Sequence, residues 1–134
     1  MIETLETTID DCVYSVTQMT ARRAIRMQAR LFRLLSSSIG HIVTSAQKNI
    51  DNAERSIPQA LSLLAENLDE KTFELLILDL LEGVRKDGME LKPAIIDIEF
   101  SGNLNNLFLL LRFVLEVNFK DFFSDRGIFK TLLN

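Results

Sequence analysis

From Leu104 to Val117 the chain is apolar on nearly every side of a helix. A segment of that kind obliges the rest of the chain, or a partner, to cover it. Its polar residues, Asn105, Arg112, Glu116 and Lys120, are spaced seven, four and four. That spacing gathers them on one narrow helical stripe and leaves the other faces for burial. Asn103 is placed to cap the first turn. Glu116 precedes Lys120 by four, the favourable order for a helical ion pair. Charges interrupt the run before it reaches the ~18 apolar residues of a membrane span. The pattern predicts a central buried helix over 103–117, continued by a further turn over 118–123.

The segments that could cover it read as follows. Residues 3–18 are rich in β-favouring types and predict a hairpin turning at Asp10-Asp11. Leu5, Thr7 and Ile9 share one face with Cys12, Tyr14 and Val16. Thr20 is a helix cap, and the helix that follows to about Leu35 is expected to bury Ile25, Ala29, Phe32 and Leu35, with Met27, Leu31 and Leu34 widening that face. The serines at 36–38 and Gly40 predict an interruption, with helix resuming from Ile42 to about Ile50. Residues 49–55 are polar and read as a connection. Ser56 and Pro58 open a helix over 57–66. Asp69 caps another over 70–82, with Phe73, Leu76, Ile77, Leu80 and Leu81 inside, and Gly83 ends it. Lys86-Asp87-Gly88 is a turn. The alternation of Ile96, Ile98 and Phe100 with Asp97 and Glu99 predicts a short extended segment over 94–100.

The expected fold is therefore mainly α (α+β), a helical bundle around a central apolar helix with an N-terminal β-hairpin. With 134 residues the chain suits a single domain, 1–134, in three parts. These are the hairpin at 3–18, a helical body at 20–124 and a short C-terminal tail at 125–134. A net charge of −4 argues against coating nucleic acid by bulk charge. The single cysteine fits a reducing compartment. The N-terminus is acidic and has no apolar core of a signal peptide. Cytoplasm is the expected location.

The residues offer little for catalysis. His41 is the only histidine, and the five glycines are scattered rather than gathered in a phosphate loop. Cys12 reads as a small core residue. Asp97 and Glu99 would share one face of a strand, as a carboxylate dyad or as a solvated edge. No cofactor and no enzymatic activity are expected. Two features point to partners instead. No acidic residue lies between Cys12 and Lys48, and Arg22, Arg26, Arg30 and Arg33 fall together on a helix face opposite the apolar one. They would suit an acidic protein surface or a phosphate backbone, or solvent. Seven of the nine phenylalanines stand within the thirty residues from Phe100 to Phe129. Phe119 would anchor the end of the central helix. Phe122, Phe123 and Phe129 have few elements left to cover them and are expected to offer a surface for a partner or for self-association.

The segments LDEKTFELLILDLLEGVRKDGMEL and DIEFSGNLNNLFLLLRFVLEVNFKDFF resemble the tail assembly chaperones of long-tailed bacteriophages. The matching features are the turn at Leu80 to Gly83, Asp87-Gly88, Phe100-Ser101-Gly102-Asn103, and Glu116 to Phe123. The stretch TTIDDCVYSVTQMTARRAIRMQARLFRLL is similar as well. About three quarters of the chain takes part in the resemblance, and residues 36–67 add nothing to it. The resemblance implies a non-enzymatic chaperone that works in the host bacterial cytoplasm. Such a chaperone binds the tape-measure protein, keeps it soluble, helps recruit tail-tube subunits, and leaves before the virion is mature. The residues alone leave two other readings open. One is a small helical adaptor or regulator that binds an acidic or nucleic-acid partner through the arginines. The other is a small enzyme using Asp97 and Glu99 with a metal.

Overall fold

The computed structural model describes residues 2–39 and 53–124. Its elements are β1 (Thr4–Ile9), β2 (Cys12–Thr17), α1 (Ala21–Ile39), α2 (Ala53–Asn67), α3 (Glu70–Leu80), β3 (Arg85–Lys86), β4 (Met89–Glu90), α4 (Pro93–Glu99) and α5 (Leu104–Phe123). This is the expected α+β architecture, with five helices and an N-terminal hairpin among the described residues.

The hairpin pairs Thr4 with Thr17 through to Ile9 with Cys12. Its two-residue loop places Asp10 and Asp11 at positive φ, 51° and 65°, the mirror-image turn whose twist matches that of the flanking strands. Tyr14 and Val16 point into the core, and Ile9 and Cys12 pack beside them. A second short hairpin extends the sheet to the order β1-β2-β3-β4. Here the sequence indicated only a turn, because two residues per strand carry no alternation to read. The turn itself is tied to the first hairpin. Asp87 N donates to the Val13 carbonyl (2.7 Å), and the Asp87 carboxylate accepts from Val13 N (2.9 Å).

Helix α5 is the centre. Leu107, Leu110, Leu111, Val114, Leu115, Phe119, Phe122 and Phe123 are buried along it. Helix α2 packs against both α1 and α5, while the hairpin and α3 also contact α5. The polar stripe faces outward as expected, but Glu116 takes Arg112 as its partner (3.3 Å) rather than Lys120. Leu104 and Leu109 stay exposed, so the cover is incomplete at the start of the helix. Asn103 occupies the cap position without a side-chain cap bond. The start of α5 is held instead by Asn106, which donates to the Asp10 carboxylate at 2.8 Å.

Other expectations need correction. Helix α1 runs through the serine run to Ile39, so the interruption does not fall there; the predicted resumption over 42–50 lies outside the described residues. Helix α2 begins at Ala53, before the predicted start, with Pro58 inside it. Ser56 lies within the helix, fully buried, and its hydroxyl has no hydrogen-bond partner among the described residues. Residues 93–99 form a helix, not an extended segment. Pro93 is preset for a first helical turn, and that local preference outweighs a short alternation. Asp97 and Glu99 therefore do not share a face, and Glu99 pairs with Lys86 of β3. The caps at Thr20 and Asp69 hold, with Arg23 N donating to Thr20 Oγ1 (3.4 Å) and Thr72 N to Asp69 Oδ2 (3.0 Å). Gly83 follows α3 at φ 86°, a left-handed position that favours glycine.

The seam between sheet and α4 is aromatic. Tyr14 stacks on Phe100 with ring centroids 6.1 Å apart. Burial first, and the nearby Glu99 carboxylate next, push the Tyr14 phenol above its ordinary value. A raised folded-state value means that this contribution is present below the unfolded value near 10 and is lost as pH rises past the folded one. Tyr14 is the single tyrosine and there is no tryptophan, so its ionisation can be followed by absorbance. The midpoint should lie higher in the folded protein than in urea, and Tyr14→Phe should lessen the alkaline loss of stability. At the centre, Leu111 is fully buried. Leu111→Asp would leave an unpaired charge there and should destabilise by about 3–5 kcal/mol in urea titrations.

Candidate functional site

Helix α1 presents distinct arcs, because successive residues turn by about 100°. Met27, Leu31 and Leu35 press into the core. Arg23 and Arg30, seven apart, lean on α3. Arg23 Nη2 donates to the Asp79 carbonyl (2.7 Å) and the Glu82 carbonyl (3.3 Å). Arg30 Nη1 pairs with the Asp79 carboxylate at 2.9 Å. These contacts satisfy carbonyls at and just beyond the C-terminal end of α3, where cations are favoured. Arg22, Arg26 and Arg33 centre on the arc opposite the core and are exposed. On the remaining flank stand Ile25, Ala29 and Phe32, with Ile25 68% and Phe32 37% exposed.

Between that flank and the end of α5 lies an open groove of about 820 Å³. The buried Phe119 and Phe122 form its floor, Ile25 and Phe32 stand on its lip, and Arg26, Arg30 and Arg33 are the charged residues lining it. Asn118 fixes the spacing of the walls. Its side-chain oxygen accepts from Met19 N (2.8 Å), just before α1, and its side-chain nitrogen donates to the Val114 carbonyl (3.0 Å). That carbonyl is the helical acceptor for Asn118's own N–H, and the next residue, Phe119, leaves helical geometry at φ −132°, ψ 27°. Competition at the ladder is a recognised source of kinks.

Five of the eight residues singled out in the sequence meet at this groove: Phe119, Phe122, Arg26, Arg30 and Arg33. Arg22 sits on the adjoining exposed arc, and Phe129 lies outside the described residues. The aromatic surface does not stand as expected. Phe122 and Phe123 are 4% and 1% exposed and meet edge to face with centroids 4.9 Å apart. Both rings belong to the hydrophobic core. The arginines do not form one free stripe either, since Arg30 is committed to Asp79.

Ile25, Ala29 and Phe32 do not take the core-facing side that the helical spacing predicts. Two apolar arcs compete on this helix. The arc of Ala24, Met27, Leu31, Leu34 and Leu35 is the broader, and it takes the core. The narrower arc is left over, flanked by arginines. Comparing the widths of the two arcs would have found it. Reversing charge at Arg22 and Arg26 together should change stability by no more than about 0.5 kcal/mol. Arg30→Glu, which sets a carboxylate against Asp79, should lower it by about 1 kcal/mol, with both effects read from urea midpoints.

The described residues hold no cluster of three or more His, Cys, Asp or Glu side chains able to bind a metal. No helix among them is long and apolar enough to cross a membrane. Neither the curated proteins nor the solved structures contain a match. The sequence model of a family described as phage tail assembly chaperone protein, TAC, matches residues 10–130. That match takes in β2, the five helices of the described residues and both walls of the groove, and the chain belongs to this family of phage tail assembly chaperones.

Proposed function

We propose that this chaperone holds helical segments of the tape-measure protein in the groove between α1 and α5. Holding them keeps that long protein soluble until tail-tube subunits are recruited around it. The work takes place in the host bacterial cytoplasm, and the chaperone is absent from the mature virion. The observation that carries this reading is the pairing of an apolar floor with exposed Ile25 and Phe32 on the lip. A helical client can lay an apolar face into such a groove. The groove is open rather than closed over, which suits a client that must be released. Phe119 and Phe122 serve both as floor and as core, so the client site is continuous with the packing that holds α5.

Co-expression with a tape-measure fragment tests the proposal. Ile25→Asp with Phe32→Asp alters exposed positions and should leave the fold intact. Truncating interface anchors typically costs about 2 kcal/mol, roughly a thirtyfold loss of affinity. The fragment should be soluble with the wild-type chaperone and aggregate with the double variant. Equal solubility with a folded variant would place the client elsewhere. Aggregation even with the wild type would remove the tape-measure protein as client. Tail-tube subunits should be captured by the chaperone–fragment pair and not by the fragment alone.

A further inference from the structure

The charge on the groove between α1 and α5 is of one sign. Arg26, Arg30 and Arg33 line it, and among the described residues no acid does. Arg30 is held by the Asp79 carboxylate at 2.9 Å. Arg26 and Arg33 are exposed, and no ion pair among the described residues engages them. The chain has no acid between Cys12 and Lys48, so α1 itself offers them no counter-charge. At about 100° per residue, Ile25, Ala29 and Phe32 form one ridge, and Arg26 and Arg33 follow each other along the same flank of it. Seven residues apart, they stand about 10 Å from each other along the helix axis. A guanidinium is weakly hydrated and can take a carboxylate through two parallel N–H donors, which suits it to the edge of an apolar surface.

From this one-sided charge we infer that the groove selects acidic amphipathic helices, client segments whose apolar face is flanked by Asp or Glu residues about seven apart. The apolar face covers Ile25 and Phe32 above the floor of Phe119 and Phe122, and the two carboxylates meet Arg26 and Arg33. A helix flanked by Lys or Arg meets like charge instead, with no acid in the lining to offset it. A phosphate backbone would satisfy the arginines but leave the apolar ridge uncovered, and a chain of net charge −4 repels a polyanion. The floor thus accepts an apolar face of any sequence, and the rim chooses among clients. Such selectivity presupposes the client groove, and it is tested with model peptides that carry no tape-measure sequence.

Labelled peptides should share one amphipathic helical sequence and differ only at two flank positions seven apart, occupied by Glu, Gln or Lys. Fluorescence anisotropy at low salt should rank their affinities Glu over Gln over Lys, with about tenfold between first and last. The gap should close near 0.5 M salt, where the screening length is only about 4–5 Å. Arg26→Glu with Arg33→Glu should reverse the order, and Arg26→Gln with Arg33→Gln should erase it. Circular dichroism checks that both variants stay folded. Ile25→Ser with Phe32→Ser should weaken all the peptides alike. Peptides that bind equally well, a ranking that the arginine variants leave unchanged, or no binding at all overturns the inference. So does a short DNA duplex that binds more tightly than the Glu peptide. Client solubility keeps the two readings apart. If the ranking is absent but the tape-measure fragment is still held, the groove remains the client site and only the acid preference falls. If the ranking is present but the fragment aggregates, the preference stands and the tape-measure protein is removed as client.

Discussion

Keeping α5 out of water is the condition the other elements meet. Each apolar side chain buried along it, from Leu107 to Phe123, contributes on the order of 1.5–3 kcal/mol of transfer free energy. No single neighbour can cover so broad a face. The cover is shared by α2, by α3 and by the hairpin, with Tyr14 and Val16 supplying the sheet's share. Polar contacts then fix where α5 begins and bends. Asn106 ties its start to Asp10, and Asn118 ties its last turns to the segment before α1.

That packing also creates the candidate site. Helix α1 must give its broad apolar arc to the core. Arg23 and Arg30 bind it to the end of α3, where carbonyl groups and the Asp79 carboxylate receive them. The helix is thereby fixed in rotation, and Ile25, Ala29 and Phe32 are turned toward the end of α5. The groove is the gap between a helix held by its core contacts and a helix kinked at Phe119. Its apolar floor and basic rim are separate consequences of one packing arrangement.

Charge is segregated along the chain in the same way. The first helix carries bases and no acids, while residues 68–134 carry twelve acids and eight bases. Folding consumes part of that contrast internally, through Arg30 and Asp79. Part of the remainder lines surface grooves, Arg26 and Arg33 in one and Glu70, Glu74 and Asp97 in another.

Elements whose signals are local can be read from the residues alone. The two aspartates of the hairpin turn, the caps at Thr20 and Asp69, Gly83 after α3, and the apolar run of α5 each act through their immediate neighbours. The segments that carry the family resemblance are stretches of this kind. Which of the two apolar arcs of α1 faces inward is settled by long-range packing, because both satisfy helical spacing and the choice depends on what is packed opposite. Long-range packing likewise makes Phe122 and Phe123 core, in the turn after a kink at Phe119 beside an Asn118 side chain that binds the distant Met19. The helix at 93–99 belongs between these cases. Its proline was legible and outweighs the short alternation of Ile96 and Ile98, and in the helix Ile96 is buried while Ile98 is exposed. Local chemistry fixes how a segment folds, whereas the face it buries is set by partners far away in the chain.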